Sequence, residues 1–494
     1  MGTLSRYRFQ LIERKAGHAG IENFRNEYGQ VIKTVYYNDQ WEPTRYEEGQ
    51  YAWIEYEYEG TDPKEPAIHE AYFDPDGNPT ESITGAYARS MVYGGPKKNL
   101  LIEEAFFDAN GEPDTSVSTG AHKAVYTYDR NMLQTSVHYY DKDGNAYETR
   151  IGEASMMREY NRNSSLLWEA FFDAEGKLVA VNGTDAVQVH TYDYASHHTG
   201  EKYYDAEGKP VTGSNGYASA TYAYDLQGNM THIHYFNAEN EPTLVDGRSG
   251  VERRYDKAHR IIYELYKGTD GLPILIKDGY SGLKYTYDPA TGQTSRVDYL
   301  SVNGETIMLP LGYASYETKY DAFGTLLLRA FYDERGGLVN PSSPDYAKLE
   351  RKTDAQGRVT EEAYYNADGT PKVNRDGYAM TVTEYDDGKV TITYLNENGQ
   401  PADTSFGYSI KETETDYQGN ILSEAYYGTD RQPVQTADGY HRQEKTWDIE
   451  GHLLTESYFG ADGAPAECPA GYASFICEYD LNGNITRQVY YGAD

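Results

Sequence analysis

Histidines supply the first candidates for chemistry in this sequence. Five of its twelve histidines fall within residues 190–234: His190, His197, His198, His232 and His234. His232 and His234 would share one face of a β-strand, and His198 aligns with Met230 once an internal repeat is recognised. Because imidazole nitrogens are common zinc ligands, this spacing predicts a metal site formed by His198, His232 and His234, with scattered surface histidines as the alternative.

Carboxylates recur beside the aromatic residues, and a pair of acids could in principle hydrolyse glycosides. The recurring glutamates lie two residues before an aromatic pair: Glu104, Glu169, Glu362, Glu424 and Glu456. Catalysis needs one constellation, so a residue that repeats in most units is structural, and we expect a solvated strand face here. The sequence has no Gly-x-Ser-x-Gly elbow, phosphate-binding loop or His-Glu-x-x-His motif. It therefore predicts a protein that is not an enzyme, with an enzyme site among the histidine-rich units as a remaining alternative.

Acidic turns offer oxygen ligands for a cation. Asp74, Asp141 and Asn366 each begin a segment with Asp-Gly two and three residues later. Calcium binds six to eight oxygens, and the third acid and distant glutamate of an EF-type loop are missing. Asx turns explain the same pattern without a metal. We therefore expect no cofactor, and calcium at these turns is the alternative.

Tyrosine is the most unusual component, with 52 residues against 13 phenylalanines and 4 tryptophans. A tyrosine joins a flat apolar face to a hydroxyl group, which suits the faces and edges of sugar rings. In each Tyr-Tyr pair, one ring is expected to face the core and the other to face outward or toward the next unit. The sequence-predicted ligand-binding rings are Tyr203, Tyr235, Tyr364, Tyr426, Tyr458 and Tyr490. The alternative is that these rings only pack against neighbouring units.

Charge and composition exclude several classes of protein. The chain has 494 residues with 78 acidic and 44 basic side chains, a formal charge of −34 that repels nucleic acid and anionic membranes. No apolar run approaches the roughly 20 residues that span a bilayer, and residues 1–20 contain no apolar segment typical of a signal peptide. Cys468 and Cys477 flank one strand and are expected to be free thiols, so a disulfide scaffold and a Cys-type zinc site are excluded.

A repeat must position all these residues. The unit G-Y-A-x5-Y-D-x2-G-N-x5-Y-Y-x-A-D-G-x-P recurs about fourteen times, and after the first gap its turns lie 30 to 34 residues apart. Alternation such as Leu166, Trp168 and Ala170 predicts strands, and Gly-Asn and Asp-Gly pairs predict tight turns. We predict an all-β fold of tandem β-hairpins forming an elongated solenoid or spiral sheet. Residues 1–45 would be a divergent cap or worn repeat, and residues 46–494 a fragment of the array that stops within the next unit.

Two bacterial repeat families share parts of this unit. Tyr224-Asp225…Gly228-Asn229 resembles the YD repeats of RHS proteins, which implies hairpins that wind into a spiral sheet, sometimes a shell around a toxin. The segment 364–371, Tyr-Tyr-Asn-Ala-Asp-Gly-Thr-Pro, is similar to the aromatic repeats of choline- and glucan-binding proteins on Gram-positive surfaces. That second resemblance implies a hairpin solenoid with ligand sites between its turns.

The leading functional hypothesis is a non-enzymatic repeat module that binds carbohydrate or a cell-surface protein and acts as an extended spacer. Tyrosine-rich repeats and an acidic surface motivate it, and they imply a location outside the cell or on the surface of a bacterium. The alternative is an RHS-like shell or scaffold that encloses or delivers a toxin domain lying outside this sequence. A closed structure would favour the second hypothesis and an open rod the first.

Overall fold

A computed structural model describes residues 20–38, 40–46, 49–97, 99–480 and 483–493 of the chain. Within these ranges the only helix is a single 3₁₀ turn at Val181–Gly183, and every other regular element is a β-strand. The thirty strands are β1 Gly20–Arg25, β2 Val31–Tyr37, β3 Trp53–Glu57, β4 His69–Phe73, β5 Ala88–Gly94, β6 Leu100–Phe107, β7 Lys123–Tyr128, β8 Gln134–Tyr140, β9 Ser155–Tyr160, β10 Leu166–Phe172, β11 Val187–Tyr192, β12 His198–Tyr204, β13 Ser219–Tyr224, β14 Met230–Phe236, β15 Gly250–Tyr255, β16 Ile261–Lys267, β17 Gly282–Tyr287, β18 Thr294–Leu300, β19 Ser315–Tyr320, β20 Leu326–Tyr332, β21 Lys348–Thr353, β22 Val359–Tyr365, β23 Met380–Asp386, β24 Lys389–Leu395, β25 Ile410–Thr415, β26 Ile421–Tyr427, β27 Arg442–Trp447, β28 Leu453–Phe459, β29 Ser474–Tyr479 and β30 Ile485–Tyr491. The predicted all-β class of tandem hairpins is confirmed.

The hairpins share one plan, which β13 and β14 illustrate. The strands are antiparallel, with Ala220 opposite Tyr235, and a β-bulge lies just before Tyr224. The side chain of Asp225 closes the following turn, and Gly228 has a φ of +84°, a conformation that strains residues with a Cβ atom. The same bulge recurs in most other hairpins. The repeated Tyr-Asp-x-x-Gly segment is therefore the signature of a bulged hairpin turn.

Short ladders join each hairpin to the next. β12 pairs with β13 through Gly200–Lys202, and the alanine of the Gly-Tyr-Ala segment extends this ladder. The N–H of Ala218 donates to the carbonyl of Phe236 at 2.8 Å, and its own carbonyl accepts the N–H of Tyr203 at 3.0 Å. Several equivalent alanines are wholly buried: Ala52, Ala186, Ala314, Ala347 and Ala473. A small side chain repeats here because two backbones approach each other around it.

The tyrosine of the Tyr-Asp pair ties its hairpin to the preceding one. The hydroxyl of Tyr224 donates to the carbonyl of His198 at 2.8 Å, 26 residues earlier in the chain. The same bond is made by the side chains of Tyr58, Tyr128, Tyr160, Tyr192, Tyr287, Tyr385 and Trp447. A ring that carries a polar donor recurs at this position because it both covers apolar surface and donates to the preceding hairpin, although threonine takes the position at Thr353 and Thr415.

The chain divides into two compact units. The C-terminal unit comprises residues 246–478 and 489–493, and the N-terminal unit comprises the described residues of 20–245 and 479–488. Each unit consists of consecutive antiparallel hairpins.

Among the described residues, β1 and β30 are the first and last strands and are hydrogen-bonded to each other, and the contacts between residues 20–25 and 479–488 lie within the N-terminal unit. Asn23 Nδ2 donates to the carbonyl of Ile485 at 2.9 Å, and Arg25 Nε lies 3.3 Å from the carboxylate of Asp480. An open array would leave β1 and β30 as free edges, so the prediction of an elongated solenoid or spiral sheet is wrong. The closing contact removes exposed strand edges that could pair with other chains.

The two ends of the sequence bear on the predicted domain boundaries. Residues 20–37 form a hairpin that has the register and bulge of the later ones, whereas residues 1–19 lie outside the described residues. The division into residues 1–45 and 46–494 and the truncation within a repeat stay predictions.

Cys468 and Cys477 are buried and form no disulfide, as expected from the sequence. No helix among the described residues has the length and apolar character needed to cross a membrane.

Candidate functional site

Aromatic rings form a continuous row through the C-terminal unit, which we call the aromatic spine. A ring from each Tyr-Tyr pair alternates with the ring of a Gly-Tyr-Ala segment, and neighbouring centroids lie 4.7–6.2 Å apart. The spine consists of Tyr266, Tyr280, Tyr299, Tyr313, Phe331, Tyr346, Tyr364, Tyr378, Tyr394, Tyr408, Tyr426, Tyr440, Tyr458, Tyr472 and Tyr490. Many contacts are edge-to-face, the geometry that the ring quadrupole favours. The spine is the apolar core that replaces aliphatic residues in these repeats.

The sequence-predicted ligand tyrosines belong to such rows. Four of them lie in the spine: Tyr364, Tyr426, Tyr458 and Tyr490. Tyr203 and Tyr235 flank Tyr217 in the N-terminal unit. Tyr203 is 4% exposed, whereas Tyr235 is half-buried. Their rings face other rings, so a sugar would have to displace protein contacts to reach them, and carbohydrate binding at these positions stays a prediction.

The recurring glutamates lie beside the rings rather than in solvent. The side chains of Glu104, Glu169, Glu362, Glu424 and Glu456 are 10–17% exposed. Glu362 accepts the hydroxyl of Tyr364 and pairs with Arg351 Nε at 2.6 Å. Glu104 accepts the hydroxyl of Tyr126 at 2.7 Å. The predicted solvated strand face is therefore wrong, because tyrosine hydroxyls and basic residues on paired strands supply the partners that a buried carboxylate needs.

The acidic turns use their oxygens for the backbone. Asp74 Oδ1 accepts the N–H groups of Asp76 and Asn78, at 3.0 and 2.8 Å. Asp141 closes its turn in the same way, and hydrogen bonds from Asn145 hold the pKa of its carboxyl below the ordinary range. The interpretation as Asx turns is confirmed for Asp74 and Asp141, and no calcium ion is needed to explain the geometry of these two turns.

A cluster of titratable side chains lies on β11 and β12 of the N-terminal unit. His190 is opposite Glu201, and a bulge before Tyr192 brings His198 to the same face. His190 Nδ1 lies 3.2 Å from His198 Nε2 and 3.6 Å from Glu201 Oε2. The separation between His198 Nε2 and Glu201 Oε2 is 3.9 Å. Burial lowers the pKa of His190, so its imidazole is neutral near pH 7.

Two tyrosines complete the surroundings of this cluster. Glu201 Oε1 accepts the hydroxyl of Tyr217 and, at 3.1 Å, that of Tyr222. Burial and the hydrogen bond to Glu201 both raise the pKa of the Tyr217 hydroxyl, which therefore stays protonated and donates. The Tyr222 ring also lies 5.0 Å from the imidazole of His198. The carboxylate is thus fixed with its second oxygen toward the two histidines.

The other two histidines of the predicted metal site lie elsewhere. His232 and His234 are exposed and pair with Ala223 and Thr221 of β13. Strand alternation places these positions on the face opposite Tyr222, so they do not join His198. The structure therefore brings His198 together with His190 and Glu201. Sequence reasoning missed this combination, because a hairpin turn at residues 193–197 alone would set His190 opposite Gly200, and only the bulge before Tyr192 shifts it opposite Glu201.

A second group of possible ligands, Asp448, Glu450 and His452, lies in the turn between β27 and β28. Asp448 Oδ1 accepts the backbone N–H of His452, and Asp448 Oδ2 lies 2.8 Å from the imidazole of the same residue. The carboxylate of Asp448 closes its turn as the aspartates of the other repeats do, so these contacts have a structural role in the hairpin.

A cleft of about 550 Å³ opens beside β6 and β7. Its lining includes Val92, Ile102, Tyr126, Tyr128 and Met132. Val92 and Met132 are 47% and 52% exposed, so the cleft presents apolar and aromatic surface to solvent. Such a surface can hold the apolar face of a small ligand.

Among known proteins, solved structures of low identity resemble this chain. No protein-family model matches the chain, and no curated protein matches it. Similar solved structures include TcdB2-TccC3-TEV, with 12% identity and a TM-score of 0.19, and TcdB2-TccC3-Cdc42, with 12% identity and a TM-score of 0.23. The Tc holotoxin pore of Photorhabdus luminescens also matches, with 14% identity and a TM-score of 0.21.

These structures cover 96–97% of this chain, whereas the chain covers only 24–29% of theirs. The likeness to RHS repeats stays a resemblance in sequence, and no comparison supports the likeness to choline- and glucan-binding repeats.

Proposed function

We propose that the chain is a non-enzymatic structural scaffold whose closed array of hairpins encloses or carries another polypeptide. The pairing of β1 with β30 carries this proposal, because a spacer needs no contact between its first and last strands. The resemblance of the Tyr-Asp-x-x-Gly-Asn segments to RHS repeats agrees with a shell-like role. A toxin domain outside this sequence is the cargo that this resemblance implies.

The construction of the hairpins supports the same role. Ring contacts and hydroxyl-to-carbonyl bonds link each hairpin to its neighbours, as at Tyr287, whose hydroxyl reaches the carbonyl of Ile261 at 2.6 Å. These links repeat along the array, so its stability is a sum of many similar interfaces. Such an array forms a wall that resists local opening.

Protection of an attached polypeptide tests the scaffold. A protease-sensitive reporter would be appended after Asp494, and its digestion compared with that of the free reporter. Arg25→Glu would place two acids at the contact with Asp480, which is 3.3 Å away in the native chain. Arg254→Glu makes the same charge change at a side chain that is 67% exposed and is the matched control.

We expect the native chain and the Arg254→Glu variant to slow digestion at least tenfold, and Arg25→Glu to lose part of this protection. Digestion of the appended reporter at the rate of the free reporter would contradict the scaffold role. Equal protection in all three chains would show that protection of the reporter does not require the contact between β1 and β30.

Carbohydrate binding is a second candidate, favoured by the cleft beside β6 and β7. Tyr126 and Tyr128 offer ring surface there, and Glu103 and Arg130 offer polar groups. If the chain binds carbohydrate, we propose that it lies outside the cell or on the cell surface and that its partner is a glycan or a surface protein.

A glycan array followed by titration calorimetry tests the carbohydrate candidate. Val92→Glu and Met132→Glu change exposed residues of the cleft and should abolish binding of any glycan that the array identifies. Ile83→Glu alters a residue that is 68% exposed outside the cleft lining and should leave binding unchanged. Absence of binding to neutral and amino sugars would remove this candidate.

A further inference from the structure

The cluster of His190, His198 and Glu201 has the separations of a metal-binding site. Its three facing atoms lie 3.2, 3.6 and 3.9 Å apart. In a tetrahedral zinc site each nitrogen or oxygen ligand is about 2.1 Å from the metal, so two ligands are about 3.4 Å from each other. The observed triangle therefore surrounds a point at which one small divalent cation fits with little movement of the side chains.

The types of ligand agree with the geometry. Two imidazole nitrogens and one carboxylate oxygen suit zinc and other divalent transition metals better than calcium or magnesium, which prefer oxygen. His190 and Glu201 face each other across the β11–β12 ladder, so the backbone register presets their approach. His198 joins them through the local bulge, and its side chain is 31% exposed. The open side leaves room for a water molecule as a fourth ligand.

The carboxylate is already held in a ligating orientation. Glu201 Oε1 is occupied by the hydroxyls of Tyr217 and Tyr222, which leaves Oε2 directed toward the imidazoles. Hydrogen bonds of this kind orient metal ligands in known metalloproteins, and their removal lowers metal affinity by about 10–100-fold. The arrangement therefore has both the ligands and the groups that position them.

We propose that His190 Nδ1, His198 Nε2 and Glu201 Oε2 bind one divalent transition-metal ion, of which zinc is the representative. The site belongs to a single hairpin and its neighbour, within the N-terminal unit. It differs from the site predicted by sequence spacing, because His232 and His234 project from the opposite face. The proposal does not depend on the scaffold function.

Metal titration of the full chain tests the proposal directly. The protein would be stripped with a chelator, dialysed and titrated with Zn²⁺ in competition with a chromophoric chelator. We expect one ion to bind per chain with submicromolar affinity. Co²⁺ in place of Zn²⁺ should give the intense visible absorption of tetrahedral cobalt.

Variants identify the ligands. His198→Gln and Glu201→Gln should each weaken Zn²⁺ binding at least 100-fold, while Tyr222→Phe should weaken it about 10–100-fold. The matched control is the double variant His232→Gln/His234→Gln, which removes two exposed histidines and should bind Zn²⁺ like the native chain. Saturating Zn²⁺ should raise the Tm of the native and control chains but not that of His198→Gln, because a ligand stabilises only the state that binds it.

Three results would overturn the proposal. The first is no stoichiometric uptake of Zn²⁺ by the native chain. The second is unchanged affinity in both His198→Gln and Glu201→Gln. The third is loss of binding in the His232→Gln/His234→Gln control, which would move the site to the other face of the sheet. Circular dichroism of each variant checks that its strands are retained, and the result for the native chain is independent of any variant.

Discussion

Removing one ring from the aromatic spine should destabilise several neighbouring hairpins. Phe331 is 4% exposed and lies in the middle of the C-terminal unit. Its ring makes edge-to-face contacts with Tyr313, at 5.0 Å, and with Tyr346, at 5.9 Å. Phe331→Ala would leave a cavity between these two tyrosines.

The expected cost follows from the burial and the ring contacts. Truncation of a buried phenylalanine to alanine costs about 3–5 kcal/mol. Phe331→Leu retains most of the apolar volume and loses the two edge-to-face pairs, each worth about 0.5–1.5 kcal/mol, so we expect a loss of about 1–3 kcal/mol. The control is Phe323→Ala in the neighbouring turn, where the side chain is 69% exposed and the cost should stay within about 0.5 kcal/mol.

Native-state hydrogen exchange measured by mass spectrometry gives the local opening free energy. A loss of about 3 kcal/mol corresponds to exchange about 150-fold faster in peptides from β19–β21 under conditions where opening is at equilibrium. Urea denaturation provides the corresponding change in midpoint. The reasoning is refuted if Phe331→Ala costs no more than Phe323→Ala, and the contribution of ring geometry is refuted if Phe331→Leu is as stable as the native chain.

Three further predictions concern other parts of the repeat. Tyr287→Phe removes the donor to the carbonyl of Ile261 and should cost about 1 kcal/mol in the same exchange assay. Ala314→Leu places a larger side chain at a wholly buried position and should lower stability by about 1–3 kcal/mol in urea denaturation. Hydrogen bonds from Asn145 lower the pKa of the Asp141 carboxyl in the folded chain. The contribution of this carboxylate to folding stability is therefore present above the unfolded pKa of about 3.9 and is lost as the pH falls through the folded pKa. Asp141→Asn should remove this pH dependence and flatten the curve of unfolding free energy against pH below about pH 4.

Local patterns predicted the strands because each depends on a few adjacent residues. The alternation of Leu166, Trp168 and Ala170 lies in β10, Leu166–Phe172, as predicted. The Gly-Asn pair at residues 228–229 lies in the turn between β13 and β14, as its type predicts. Glycine and aspartate determine turns through their own backbone preferences, so their meaning can be read without knowing the neighbouring hairpins.

Contacts between hairpins could not be read in this way. Glu362 has the same alternation as a solvated residue, and its burial becomes apparent only once Tyr364 and Arg351 are known to reach it. The meeting of His190, His198 and Glu201 depends on a bulge that shifts one strand by a residue. A single such shift moves a side chain to the other face.

The pairing of β1 with β30 joins residues that are more than 450 positions apart and has no local signal in the sequence. It is nevertheless the observation on which the scaffold proposal stands. The repeats would have much the same pattern in an open solenoid, so only a long-range distance can distinguish the two arrangements.

A pulsed EPR distance between β1 and β30 tests closure most directly. Phe24→Cys and Ile485→Cys place spin labels at positions that are 41% and 39% exposed, and the native thiols at Cys468 and Cys477 are buried. In the closed array the strands are neighbours, so the labels should lie within about 25 Å of each other, allowing for their linkers and a strand spacing of about 4.8 Å. In an open array the thirty strands would place them up to about 140 Å apart, and a distance beyond about 60 Å would contradict the closed array and the scaffold function built on it.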